Sequence, residues 1–285
     1  MTPTAVAPTQ PPGRWLIPSR QDPRWIFAAF LGAYVVVGHA LLSFNRAPVE
    51  IAVALVACCA LDMLYTWVAI KKLLFPLSAI ISAFGLAILF TSPGNAWSML
   101  LVSWLTITAK YLITWRGHHV FNPTNLALVV MLLFSGGQAA VAPAYQWAGT
   151  WQVPLLVLVL GLIIMSRVNK LPLVLSFWAV YALGAVVRAQ LTHMPVEITL
   201  WATVSGGAFM LFSFFMITDP KTSPASFKGQ LLFGVGLALT DLWLQLSLAV
   251  FSLFYALFLV SALRALYYIV IDLRAKRAPA AALPS

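Results

Sequence analysis

The chain has 285 residues, of which 62% are hydrophobic and only 8% charged, and its mean hydropathy is +0.93. A soluble domain carries about 25% charged residues, so this chain cannot present a solvated surface all round. Its net charge of +10 does not mark a nucleic-acid binder, because Lys and Arg punctuate apolar runs as cytoplasmic anchors of membrane helices do.

Residues 1–24 hold six prolines with Arg14, Arg20 and Arg24 but no apolar run. That excludes a cleavable signal peptide and predicts a disordered cytoplasmic tail. Ten apolar segments follow, at 25–44, 50–70, 74–90, 97–115, 122–135, 153–166, 171–188, 199–217, 230–244 and 247–272. Most approach the ~20 residues that cross a bilayer, so the expected fold is an all-α polytopic membrane protein. Its transmembrane domain spans 25–274, and residues 275–285 form a second cytoplasmic tail.

With both termini inside, Arg14, Arg20, Arg24, Lys71, Lys72, Lys110, Arg116, Arg167, Lys170, Lys221, Lys228, Arg274, Lys276 and Arg277 all fall at cytoplasmic ends. Arg46 and Arg188 fall outside, and Arg264 lies within the last helix. Fourteen of the 17 basic residues thus share one side, as the positive-inside rule requires. An odd number of helices would scatter them.

In the second segment, the adjacent Cys58 and Cys59 are too few for a disulfide framework and read as small core residues. Asp62 stands in the middle of the same apolar run. A carboxylate there costs on the order of 2.5–3.5 kcal/mol and needs a partner. His39, Lys110 and Arg264 are the candidates. Two readings stay open, a proton or cation relay through Asp62, His39 and Lys110, or a structural hydrogen-bonded pair.

Segments three, five and nine are short, and Pro76, Pro93, Pro123 and Pro220 sit at segment boundaries. Shortened, proline-interrupted segments in corresponding places predict an inverted repeat of five plus five helices, over about 25–135 and 153–272. Ser82-Ala83-Phe84 leads into Thr91-Ser92-Pro93 as Gly207-Ala208-Phe209 leads into Thr218-Asp219-Pro220, with the first break facing out and the second in.

Asn122-Pro123-Thr124-Asn125 reads as a helix start, with Asn122 as cap and Pro123 in the first helical position. Free N–H groups beside Arg116, His118 and His119 make a pocket suited to an anion, unless this is a plain cap among anchoring charges. Adjacent histidines point apart on a helix and have no acidic neighbour, so no metal site is expected. A second polar break runs from Phe214 to Pro224. In a bilayer such backbone is tolerated only where protein or a water-filled cavity covers it. Thr218, Asp219, Lys221, Thr222 and Ser223 there, with Asn122, Thr124 and Asn125, form the expected ligand- or cofactor-binding set. An ordinary cytoplasmic turn is the alternative. Asp241 is expected at a helix end near the outer interface. The Trp residues cluster at segment ends, among them Trp97, Trp115, Trp147, Trp151 and Trp201, as an interfacial belt does.

The run Phe214 to Ser223, with Thr218-Asp219-Pro220 at its centre, resembles the Thr-Asp-Pro signature of the RnfD/NqrB family, integral-membrane subunits of redox-driven ion pumps. Lys110-Tyr111, Gly117 and Phe121-Asn122-Pro123-Thr124 are similar to the family run that opens a membrane helix about a hundred residues earlier. Similarity continues through Gly229 to Gly236 and covers most of 70–274. The resemblance implies a multi-pass subunit of the bacterial cytoplasmic (inner) membrane, in an electron-transport-linked ion transporter. Its partners would be the lipid bilayer and other membrane redox subunits, with no nucleic acid and no autonomous catalytic motif.

Family members carry FMN on the Thr of an S-x-A-T or S-G-A-T-like motif. Neither Ser135-Gly136-Gly137-Gln138 through Thr150 nor Ser205-Gly206-Gly207-Ala208 holds that acceptor. No covalent flavin is expected, and non-covalent FMN or riboflavin stays open. In this the chain resembles the shorter RnfD-like branch that includes the UnbU proteins. That branch implies the alternative function, a stand-alone small-solute transporter or channel on the same scaffold.

Overall fold

The computed structural model describes residues 15–22, 24–41, 47–92, 95–141, 152–204 and 207–277. Its helices are α1 (Arg24–Leu41), α2 (Pro48–Ile70), α3 (Leu77–Leu89), α4 (Ala96–Leu112), α5 (Pro123–Phe134) and α6 (Gln152–Arg167), then α7 (Leu171–Thr192), α8 (Val196–Val204) and α9 (Gly207–Leu211). α9 passes into a π-helical turn (Phe212–Met216), and α10 (Phe227–Leu246) and α11 (Ser252–Arg277) follow. Three two-residue strand pairs pin the ends. β1 (Trp15–Leu16) runs parallel to β2 (Leu73–Leu74), β3 (Phe90–Thr91) antiparallel to β6 (Ala140–Val141), and β4 (Thr114–Trp115) antiparallel to β5 (His118–His119).

Local chemistry sets the boundaries. Pro48 and Pro123 occupy the first helical positions, where a missing N–H costs least. α2 and α7 end on left-handed residues, Lys71 and His193, whose N–H groups close the last turn. α2, α7, α10 and α11 are long and apolar enough to cross a membrane, and α1, α3, α5 and α6 are shorter apolar helices. Large side chains such as Val56, Leu64, Leu133, Phe134, Leu183, Leu232 and Leu263 point outward. That much exposed apolar surface is stable only against lipid. The chain is an all-α, multi-pass membrane protein.

Packing follows one order in both halves. α2 lies against α3 and α4, α4 against α5, and α1 against α3. In the same way α7 lies against α8 and α10, α10 against α11, and α6 against α9. The tightest approach is α7 on α10. A Cβ at Gly234 would meet Ser176 Oγ and stand 2.7 Å from the Leu173 carbonyl oxygen. Small residues allow such contact, which carries helix association where lipid removes the hydrophobic drive. Phe177, Tyr181, Phe209, Phe212 and Phe254 fill the junction of α7, α9, the π turn and α11.

Several expectations are corrected. The tail expected over 1–24 is ordered from Trp15, because β1 pairs with β2, the Phe75 amide donates to the Leu16 carbonyl at 2.9 Å, and Arg24 pairs with Asp22 at 2.6 Å. The eighth segment does not stay α-helical to its end, because α9 passes into the π turn at Phe212. Segment nine is not short: Ser226 caps Gly229 N at 3.2 Å and starts α10 earlier. Segment ten begins at Ser252, after a turn in which Leu248 takes φ 61°. Pro93, Ser205-Gly206 and the loop holding Tyr145, Gln146, Trp147 and Trp151 lie outside the described residues.

Candidate functional site

Two buried polar clusters lie along the helices. The first centres on Asp62, which is 4% exposed. Lys110 Nζ donates to Asp62 Oδ1 at 2.5 Å and to Ser78 Oγ at 2.5 Å, and Tyr111 Oη donates to the same carboxylate oxygen at 2.7 Å. α2, α3 and α4 thus each supply a member. The Tyr111 ring stacks on Tyr65 at 4.8 Å, and the Tyr65 hydroxyl meets Thr108 at 3.0 Å, which fixes the phenol that reaches the acid. Of the three expected partners the structure brings in Lys110 alone. His39 is exposed near the end of α1, and Arg264 stands over the Phe233 ring at 5.6 Å.

The second cluster joins the two polar breaks. Asn122 caps α5, its Oδ1 accepting the Asn125 amide at 3.0 Å. Its Nδ2 donates across to the Met216 carbonyl and to Asp219 Oδ2, both at 3.4 Å. The π turn makes this contact available. It closes with Ile217 N on the Phe212 carbonyl at 3.1 Å, so the following carbonyls are shifted out of the α ladder. Thr218 Oγ1 donates to the Phe214 carbonyl at 2.5 Å, and the Trp178 indole N–H donates to Ser213 Oγ at 2.9 Å. Asn125 is 1% exposed and donates to the Phe254 carbonyl of α11 at 3.1 Å, while its Oδ1 accepts from no donor among the described residues.

The loop after the π turn satisfies itself. The Asp219 carbonyl accepts from Thr222 N at 3.0 Å, Ser223 N at 2.8 Å and Ser223 Oγ at 2.8 Å, and Asp219 Oδ1 accepts from Lys221 N at 3.0 Å. Thr124, Thr218, Thr222 and Ser223 are all buried, and Lys221 is exposed. Lys170, at the start of α7, donates to the Pro224 carbonyl at 2.8 Å, and Gln230 Nε2 to the Asn169 carbonyl at 2.9 Å. Burial raises the Asp219 carboxyl above its ordinary value, against the pull of the Lys221 amide and charge, Thr222 and Lys170. Burial likewise lowers Lys170.

The hairpin β4–β5 lies next to Asn122 in the chain. Arg116 and Gly117 both take positive φ at its two-residue turn, 51° and 79°. Arg116 pairs with Asp272 of α11 at 2.7 Å, and Trp115 Nε1 donates to the same carboxylate at 3.3 Å. His119 is pushed down to about 4, first by burial and then by the charges of Lys221, Lys110 and His118. No group of three His, Cys, Asp or Glu side chains among the described residues is placed to hold a metal. An apolar groove of about 650 Å³ between α2 and α4, lined by Ala57, Leu61, Trp97 and Trp104, belongs to the lipid face and contains neither cluster.

Sequence reasoning passed over Tyr111, Ser78, Lys170 and Gln230. Tyr and Ser in an apolar run carry no sign of which face they occupy, and Lys170 and Gln230 each find a partner more than 50 residues away in the chain.

No curated protein matches the chain. Residues 138–266, from just after α5 to the middle of α11, match the family described as NQR2, RnfD, RnfE.

Proposed function

We propose that the protein is the membrane subunit of an electron-transport-linked ion transporter, built as two inverted five-helix repeats in the bacterial inner membrane. Other redox subunits would be its partners. The distribution of the basic residues supports cytoplasmic termini. The repeated packing order of the two halves supports the repeat.

The observation that carries the ion-transport reading is the buried Asp62–Lys110–Tyr111 cluster. An intramembrane ionisable group is costly and marks an ion or proton path by default. The Asp62 carboxylate can accept a proton held by Lys110 Nζ or Tyr111 Oη, because all three share one hydrogen-bonded centre. The Asn122–Asp219 contact then joins the two halves' polar breaks beside the expected ligand set of Thr124, Asn125, Thr218, Lys221, Thr222 and Ser223. The test is ion uptake by proteoliposomes. Asp62→Asn is expected to lower transport at least tenfold while folded yield stays near wild type. A yield that collapses as far as transport does would make Asp62 a structural partner.

The residues do not fit the covalent flavin of the family that the chain resembles. Between Ser135 and Val141 the described outer segment offers no threonine, and the Ser135 hydroxyl is taken by the Ala139 amide at 2.9 Å. This absence favours a second reading, a stand-alone solute transporter on the same scaffold. Denatured protein from cells that co-express a flavin transferase should show no in-gel flavin fluorescence. A fluorescent band at the mass of the chain would restore the covalent cofactor.

A further inference from the structure

Asp241 is the other acid buried within a membrane helix. It lies in α10 and is 1% exposed. Its Oδ2 accepts from Gln245 Nε2 at 2.5 Å. The other face of the Gln245 amide accepts from Arg188 of α7, whose second amino group donates to the Thr199 carbonyl at 2.8 Å. One amide therefore stands between the acid and the base. Asp241 Oδ1 is enclosed and accepts from no donor among the described residues. The Ser252 hydroxyl at the start of α11 neighbours the same carboxyl group.

The placement mirrors the first cluster. Asp62 and Lys110 lie on the packed pair α2–α4, and Arg188 and Asp241 on the packed pair α7–α10. An inverted repeat carries α2 onto α7 and α4 onto α10, so each half holds one acid and one base on equivalent helices, with the signs exchanged. Asp62 lies toward the cytoplasmic end of its pair and Asp241 toward the outer end. In the first half the charges meet directly. In the second Gln245 separates them, which leaves one carboxylate oxygen free.

We propose that Asp241 is a second proton-binding site, placed at the outer end of the path whose inner end is Asp62. The inference rests on the ten-helix topology and the ion-transport reading above. A proton on Oδ1 removes the buried charge and supplies a donor that the Ser252 hydroxyl can accept, which offsets the cost of an unpaired oxygen. A metal cation does not fit. Hard cations take about six oxygen ligands, and this place offers a carboxylate oxygen and one hydroxyl.

The neighbouring elements add few competing charges. α7 contributes Arg188, and α11 contributes Arg264, which is engaged on Phe233 two turns nearer the cytoplasm. Glu197 of α8 and His193 after α7 are exposed at the outer end.

The experiment is infrared difference spectroscopy of the whole protein in lipid, with pH steps in potassium or sodium buffer. Wild type is expected to show a protonated-carboxyl stretch that grows as pH falls and is the same in both salts. Asp241→Asn should lose that stretch and Asp62→Asn should keep it. Gln245→Met, which keeps the carboxyl but removes the donor on Oδ2, should retain the band at a higher frequency. A wild-type spectrum with no such band, a band that survives Asp241→Asn, or a band abolished by sodium at constant pH would each overturn the proposal. If Asp62→Asn stops ion uptake and Asp241→Asn leaves both band and uptake unchanged, the outer site fails while the transport reading stands.

Discussion

Asp62 lies eight residues before the end of α2, about 12 Å inside at 1.5 Å per residue. Lys110 lies two residues before the end of α4 and reaches inward to meet it. That difference in depth predicts unequal effects of removing either partner. In Asp62→Asn the Lys110 ammonium can withdraw along its flexible stem to the interface, so the lost pair costs little. In Lys110→Met the carboxylate cannot move, and a buried charge stripped of its partner costs about 3–5 kcal/mol. Thermal unfolding in detergent should therefore place Lys110→Met well below Asp62→Asn, and equal losses would mean that both groups are equally deep.

His119 gives the second residue-scale prediction. Its imidazole is held at about 4, against an ordinary 6.5, so the docked hairpin binds fewer protons than the undocked one between those values. The stabilisation is complete above about pH 6.5 and falls away as pH drops toward 4. Hydrogen exchange in Ile113–Phe121, corrected for intrinsic rates, should accelerate from pH 7 to pH 5. His119→Phe should remove that dependence.

At the scale of elements, the all-α, apolar character of the chain was legible because lipid-facing and core-facing residues are both apolar, leaving boundaries as the main signal. Asn122-Pro123 and Ser226 mark theirs by side-chain caps, and α5 begins where its sequence says. The π turn was not legible. Phe212-Ser213-Phe214-Phe215-Met216 has no Pro or Gly, and its widened ladder is decided by Trp178 on Ser213 and Asn122 on Met216, which arrive from other helices. The two breaks were expected to share one binding set because polar backbone in a bilayer needs cover, but which atoms meet is decided by groups far apart in the chain.

Helix packing supplies its own test at two glycines of α10. At Gly234 a Cβ would press on the α7 backbone at Leu173 and Phe177, whereas at Gly236 it meets nothing within 4 Å. Overpacking costs about 1–3 kcal/mol, while Gly to Ala in an open helix gains roughly 0.5–1 kcal/mol. Gly234→Ala should lower the unfolding temperature and Gly236→Ala should leave it unchanged or raise it. The same sign at both positions would mean that α7 and α10 do not approach as closely as described.

For the whole molecule, the decisive quantity is which side each connection occupies, and three independent features converge on it. The basic residues collect at the connections after α2, α4, α6 and the π turn and beyond α11. The hairpin β4–β5 is tied to the end of α11 by the Arg116–Asp272 ion pair, so the turn after α4 and the end of the last helix must lie on one side. β3 pairs with β6, which likewise puts the connection after α3 and the connection after α5 together on the opposite side. A reporter fused after Pro284 should therefore read cytoplasmic, and one inserted between Gly137 and Ala148 should read periplasmic. Moving charge tests the cause as well as the outcome. Replacing Lys71 and Lys72 by Gln weakens one anchor of several and should leave both readings intact, since orientation is set by the sum of the flanking charges. If either reporter reads the other way in the wild-type chain, the two ion-pair and strand contacts cannot both hold in the membrane. The inverted repeat, and with it the opposite placement of Asp62 and Asp241, would then be lost.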